Sequence, residues 1–181
     1  KKNSKPINQK KKHKKMGGDL FYQCLFLCCI SPSSALIKKD VFVDFGYFDE
    51  KLPACEDYDF WLRFCAEEEV RFVNDELLVK HGGHSDQLSQ KYWGMDRFRV
   101  YSLEKLISEG ALSRKHNKAA LAVLLTKINL LIKGGLNRKN FALVDFYSKK
   151  MEFWTNYSKN LNKIVKQKHF EEKEKFRYYF E

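Results

Sequence analysis

Apolar positions recur along this chain in two rhythms. The run "LFYQCLFLCCI", Leu20 to Ile30, is nearly continuous. It reads as a buried helix, capped by Asp19 after the break at Gly17-Gly18 and running to about Cys29. Eleven residues with Gln23 among them are too few to span a bilayer. "SPSS", residues 31–34, is a turn. "ALIKK" predicts a short strand, and "DVFVDFG" a short helix stopped by Gly46. "YFDEKLPAC" is a loop. From Glu56 to about Glu68 the rhythm is helical, with Tyr58, Trp61, Leu62 and Cys65 at i, i+3, i+4 and i+7.

"VRFVN" and "LLVKHGG" then predict two strands around the turn "DE", and another helix is expected from near Ser89 to about Glu109. After Gly110 only the helical rhythm remains. Leu121, Leu124, Leu125, Ile128, Leu131 and Ile132 form one apolar stripe, with Gly134-Gly135 expected to end it. A second helical stretch follows Asn140. From about Asn156 the chain is charged and aromatic, as an exposed or partner-binding helix would be. The order predicts three parts: a basic segment over 1–16, a mixed α/β part over 17–110 and a helical extension over 111–181.

Hydrophobic residues make up 44% of the 181 positions, enough for a core and against wholesale disorder. The net charge is +11, and eight of the first fifteen residues are lysine with no acid among them. That arm takes eight of the eleven charges and leaves three for the rest. It can meet phosphates, anionic lipid or nucleic acid, or be a solvated terminus. Of five cysteines, Cys24, Cys28, Cys29, Cys55 and Cys65, none forms a C-x-x-C pair. Cys24 and Cys28 fall at i and i+4 as small core residues. The set reads as reduced thiols in a cytoplasmic setting, not a disulfide scaffold or a zinc site.

The chemistry concentrates in "PACEDYDFWLR", where Glu56, Asp57 and Asp59 fall within four residues, followed by Phe60, Trp61 and Arg63. Acids in a first helical turn complement the helix dipole, which accounts for Glu56 and for Asp57. "DYD" is formally a D-x-D metal pattern, but on a helix Asp57 and Asp59 point about 200° apart at roughly 100° per residue. They would not chelate one ion from regular helical positions. A third reading is a general base held at a cleft edge. Glu56 and Asp59 share a face, and Asp57 points elsewhere and can face a substrate. Asp59 and Arg63, at i and i+4, predict a supporting ion pair.

"GYFDEKLPACEDYDFWLRF" resembles the acceptor-side motif of family 2 inverting glycosyltransferases, which have the GT-A fold: a G-x-F-D-E loop, a spacer, then an E-D-x-D-x-x-x-R helix. Here these are Gly46, Phe48, Asp49 and Glu50, then Glu56, Asp57, Asp59 and Arg63. "SPSSALIKKDVFVDFGYF" resembles the segment before that loop, and "ELLVKHGGHSDQLSQKYWGMDRFRVYSLEKL" the one after it in a bacterial subgroup. The resemblance covers about residues 17–110. It implies an α/β fold, a partial GT-A mixed sheet with flanking helices followed by an α-helical C-terminal tail.

It further implies hexosyl transfer from a nucleotide-diphosphate sugar to an acceptor hydroxyl. Asp57 would be the catalytic base, and Glu56 would orient the helix start or touch the acceptor. A divalent metal, Mn or Mg, would neutralise the diphosphate. His84, with His81 as the other option, would help bind metal or diphosphate. Gln87 and Ser89 would border the cleft, and Trp93 would lie near an acceptor sugar. The acceptor would be a glycan, a lipid-linked sugar or a protein, and the setting the cytoplasmic face of a membrane, with peripheral contact to anionic lipid. Relatives begin with a nucleotide-binding half, so the chain is expected to be a C-terminal portion lacking it. Two other classes fit parts of the sequence. One is a basic binding module for anionic membrane or nucleic acid, although the charge sits at one end and no nucleic-acid motif of known type appears. The other is a non-catalytic helical interaction protein resting on residues 111–181.

Overall fold

The computed structural model describes residues 15–79 and 91–161. Among them lie six α-helices: α1 (Phe21–Phe26), α2 (Lys39–Phe45), α3 (Glu56–Cys65), α4 (Asp96–Ser108), α5 (Arg114–Asn137) and α6 (Phe141–Asn160). A single turn of 3₁₀ helix spans Pro32–Ser34. α5 is the central element. It packs against α6, α4 and α1, while α3 lies on α1 and α4 and carries α2 on its outer side.

The expected α/β mixed sheet is overturned: the described residues contain no strand. The segment expected as "ALIKK" is extended at Ala35 (φ −111°, ψ 136°), and Lys39 already opens α2. The "VRFVN" segment makes one isolated antiparallel bridge, Gly18 to Val70, with N···O distances of 2.7 and 3.1 Å. Apolar and β-branched residues give both segments strand propensity, but a ladder also needs a neighbouring strand. Without one, Leu36, Phe72, Val73, Leu77, Leu78 and Val79 stay exposed.

The helices follow the apolar pattern, except that α4, expected from near Ser89, opens only at Asp96. Tyr58, Trp61, Leu62 and Cys65 are all buried, and Phe60 joins them against Phe42 and Phe48. Each large apolar side chain so buried contributes roughly 1.5–3 kcal/mol. α1 is shorter than the apolar run predicts, because Leu27 turns extended (φ −158°, ψ 158°). The N-cap is Leu20, one residue after the expected Asp19, and Asp19 Oδ1 accepts the N–H of Phe21 at 3.1 Å. α2 stops where the sequence predicts, at Gly46 with φ 71°.

α5 differs from expectation. It runs through Gly134-Gly135, and the reversal comes at Lys139, whose φ is 55°. Gly135 is instead a close-approach point: a Cβ there would lie 2.9 Å from Val144 Cγ2 of α6. Ser113 and Asn140 cap α5 and α6, accepting the N–H of His116 (3.1 Å) and Leu143 (3.0 Å). By length and composition α5 could cross a bilayer. In this fold its apolar face, Leu121, Leu124, Ile128 and Leu131, is the core of the bundle.

Two buried polar ties fix α4 in place. Glu104, 1% exposed, accepts from Lys150 Nζ (2.9 and 3.1 Å) and from Trp154 Nε1 (2.6 Å) on α6. Lys127 of α5 donates to Asp96 Oδ1 (3.0 Å) and to the carbonyl of Phe26 (3.2 Å). Burial pushes Lys127 below the usual lysine range, and Asp96 offsets only part of that.

Candidate functional site

The three acids of "EDYD" separate at the start of α3. Cys55 precedes them in the left-handed conformation (φ 65°, ψ 18°), buried, with its thiol over the carbonyl of Met95 at 3.9 Å. A non-glycine residue there costs about 1–2 kcal/mol. It turns the loop sharply, so that Glu56 and Asp57 open the helix. Burial pushes the Cys55 thiol up to about 11.

Asp59 faces inward and is 2% exposed. It accepts from Arg63 Nε at 3.1 Å and from Lys105 Nζ of α4 at 2.9 Å. The expected Asp59–Arg63 pair is therefore present, and Lys105 extends it. The same ammonium donates to Asp49 Oδ2 at 2.8 Å, so one lysine ties the "FDE" loop to the "EDYD" helix. Tyr101 Oη adds a contact to Asp49 at 3.4 Å, and Arg63 Nη2 donates to the carbonyl of Tyr47 at 2.8 Å. Burial alone would lift the Asp49 carboxyl, but Lys105 outweighs it and holds Asp49 below the usual carboxylate range. Arg63, Lys105 and Asp49 also line a cleft of about 530 Å³.

Asp57 points the other way, as the helical spacing requires. It is half-buried and does not line that cleft. Its Oδ2 accepts from the thiol of Cys28 at 3.0 Å, and its Oδ1 from the N–H of Tyr58 at 2.7 Å. Among the described residues no lysine or arginine pairs with it. Glu56 is half-buried too, and its Oε2 is sealed from solvent without a hydrogen-bond partner. Tyr58 Oη donates to the carbonyl of Leu25 at 2.7 Å, which ties this turn to α1.

Trp93 is half exposed, with Arg97 (4.4 Å from ring centre to Cζ) and Arg138 (5.9 Å) over its ring. No hydrogen bond or ring contact joins it to Asp57 or Glu56 among the described residues. His81, His84, Gln87 and Ser89 lie outside the described residues. The described residues gather no set of three or more His, Cys, Asp or Glu side chains fit to hold a metal ion. The sequence reading missed Lys105 and Cys28 at this site. Lys105 lies in "YSLEKL", but nothing local marks it as the partner of acids 46 and 56 residues away. The i, i+4 spacing marks Cys28 as a core thiol, and only the fold brings it to Asp57.

Comparison with known proteins gives one partial likeness. A stretch of 62 residues is 36% identical to a protein of Rickettsia felis described as an uncharacterized glycosyltransferase. The match covers 34% of this chain and about a tenth of that relative's length. No family profile matches the chain. No solved structure matches it either. The chain is thus similar, over about a third of its length, to a glycosyltransferase.

Proposed function

We propose that this chain is the acceptor-side part of an inverting, family 2-like glycosyltransferase, with Asp57 as its general base. The observation that carries the reading is the division among the three acids. Asp59 is neutralised by Arg63 and Lys105, whereas Asp57 stands half-buried at the helix start with no cation among its partners. A carboxylate held this way keeps a lone pair for a substrate proton. The partial likeness to a glycosyltransferase supports the reaction class.

In that reaction the acceptor hydroxyl loses its proton to Asp57 as its oxygen attacks the anomeric carbon of a nucleotide-diphosphate sugar. The new C–O bond forms as the bond to the diphosphate oxygen breaks on the opposite side, so the configuration inverts. Glu56, with its unpartnered buried oxygen, is the candidate to accept a second acceptor hydroxyl. The acceptor is a glycan, a lipid-linked sugar or a protein. The expected Mn or Mg ion would fall to His84, which lies outside the described residues, and no step here runs through it. One observation favours a second reading: the short Tyr58 N–H contact is also what a purely structural helix-start acid would make.

The test is nucleotide-sugar turnover by the protein expressed from its full reading frame, with and without Asp57→Asn. The expected result is a fall in kcat of at least about 100-fold with a stability within about 1 kcal/mol of the parent. Turnover within a few-fold of the parent would return Asp57 to the structural reading.

A further inference from the structure

Four of the five cysteines converge beside Asp57, although they span more than forty positions of sequence. α1 ends at Phe26, and the extended Leu27 folds the chain back on it. This brings Cys29 Sγ to 3.3 Å from Cys24 Sγ. Cys65 of α3 lies 4.0 Å from Cys24, and Cys28 donates to Asp57. All five thiols are free. A second cleft, of about 250 Å³, opens onto this cluster. Cys29 lines it, with Met16, Leu20, Phe26 and Leu27 as apolar walls and Lys15 as its cation. Cys24 and Cys65 are buried, so a reagent entering that cleft meets Cys29 first.

We propose that Cys24 and Cys29 are a thiol–disulfide exchange site for a small anionic disulfide, and that closing it acts on Asp57 through Cys28. The Cys29 thiolate attacks one sulfur of the reagent, whose S–S bond breaks and releases one thiolate. The Cys24 thiolate then attacks Cys29 Sγ and displaces the second. The two protons from Cys24 and Cys29 end on the two released thiols. The protein loses two electrons, and one small disulfide becomes two thiols. Ring closure shortens the sulfur separation from 3.3 Å to a bond of about 2.05 Å, a shift of roughly 1.3 Å. Cys28 is the next residue, and its thiol is shared between Asp57 Oδ2 and the carbonyl of Ile30, both at 3.0 Å. Moving Cys29 therefore disturbs the hydrogen bond on Asp57.

The groups facing the pair set its rate. The hydrogen bond from Cys29 pulls the Cys24 thiol down, but Cys65 and burial outweigh it and push it up. The bond to Cys24 and burial push Cys29 up, and Lys15 pulls it back only partly. Burial and the neighbouring Asp57 push Cys28 up. Exchange is therefore slow at neutral pH and faster at higher pH. This site stands whether or not Asp57 is a catalytic base.

The experiment is incubation of the chain with oxidised glutathione, followed by intact-mass and peptide analysis. The expected product has lost two hydrogens and carries no glutathione. It still forms in Cys28→Ser and Cys65→Ser and is absent in Cys29→Ser. Carbodiimide labelling of Asp57 rises at least two-fold in the oxidised form. A stable glutathione adduct without ring closure overturns the exchange site. So does a crosslink that survives Cys29→Ser, or no reaction in a chain shown folded by circular dichroism. Ring closure with unchanged Asp57 labelling overturns the link to Asp57.

Discussion

Asp59→Asn separates the frame of this site from its proposed base. Asparagine keeps the shape of the side chain and removes the charge that Arg63 and Lys105 share at 3.1 and 2.9 Å. Breaking a fully buried pair costs about 3–5 kcal/mol. Asp59 is buried, but the Arg63 and Lys105 side chains are 14% and 23% exposed, so water relieves part of the loss. Lys105 also keeps Asp49. The expected cost is therefore about 2–4 kcal/mol. With a urea slope of roughly 2 kcal/mol per molar, the midpoint falls by about 1–2 M. Asp57→Asn, which breaks no ion pair, is expected to stay within about 1 kcal/mol. Urea titration followed by tryptophan fluorescence and by circular dichroism measures both. A double-mutant cycle with Arg63→Gln is expected to return a coupling of at least about 1 kcal/mol. An Asp59→Asn cost below about 1 kcal/mol, or an equal cost for Asp57→Asn, would refute the division of roles.

Other expectations are tested in the same way. Gly134→Ala and Gly135→Ala should differ in sign. The first new Cβ meets only the mobile end of Arg138, at 2.9 Å, and gains up to about 1 kcal/mol of helix propensity. The second meets the stiff Val144 Cγ2 at 2.9 Å and should lose about 1–2 kcal/mol despite that propensity. Thermal unfolding of the pair reads this directly. Asp49 and Asp96 are both held below the usual carboxylate range: burial opposes this, and Lys105 for one and Lys127 with Arg99 for the other outweigh it. Their stabilising contribution is present above the unfolded carboxylate range and is lost as pH falls through the lowered folded values. Unfolding midpoints should therefore drop below about pH 4, and Lys105→Met should flatten that acid limb.

The sequence made the helices legible where the apolar rhythm was strong. The α3 stripe, the Gly46 stop, the α5 face and the Asn140 start each rest on residues within one element, and each is found. Pairing was not legible. "ALIKK", "VRFVN" and "LLV" carry strand propensity, yet whether a strand forms depends on a partner that no local window contains. Gly134-Gly135 misled for a related reason: a glycine pair can mark a stop or a close crossing, and only Val144 across the interface decides which. At the site, the i, i+4 pair Asp59–Arg63 was readable, because both ends lie on one helix. The reach of Lys105 to Asp49 and Asp59, and of Cys28 to Asp57, was not, because each crosses from one element to another.

Lys105 has a further consequence for how this region can change over time. It clamps the loop acid Asp49 and the helix acid Asp59 in one hold, two residues from Asp57. The scaffold is thereby insured separately from whatever stands at position 57. Substitutions at Asp57, Glu56 or Cys28 can accumulate without unseating the helix that presents them. Descendants of this chain are free to vary at position 57 while the pattern around Asp49, Asp59 and Arg63 persists. A motif search keyed to those three residues would recover that frame and say nothing about what stands at position 57.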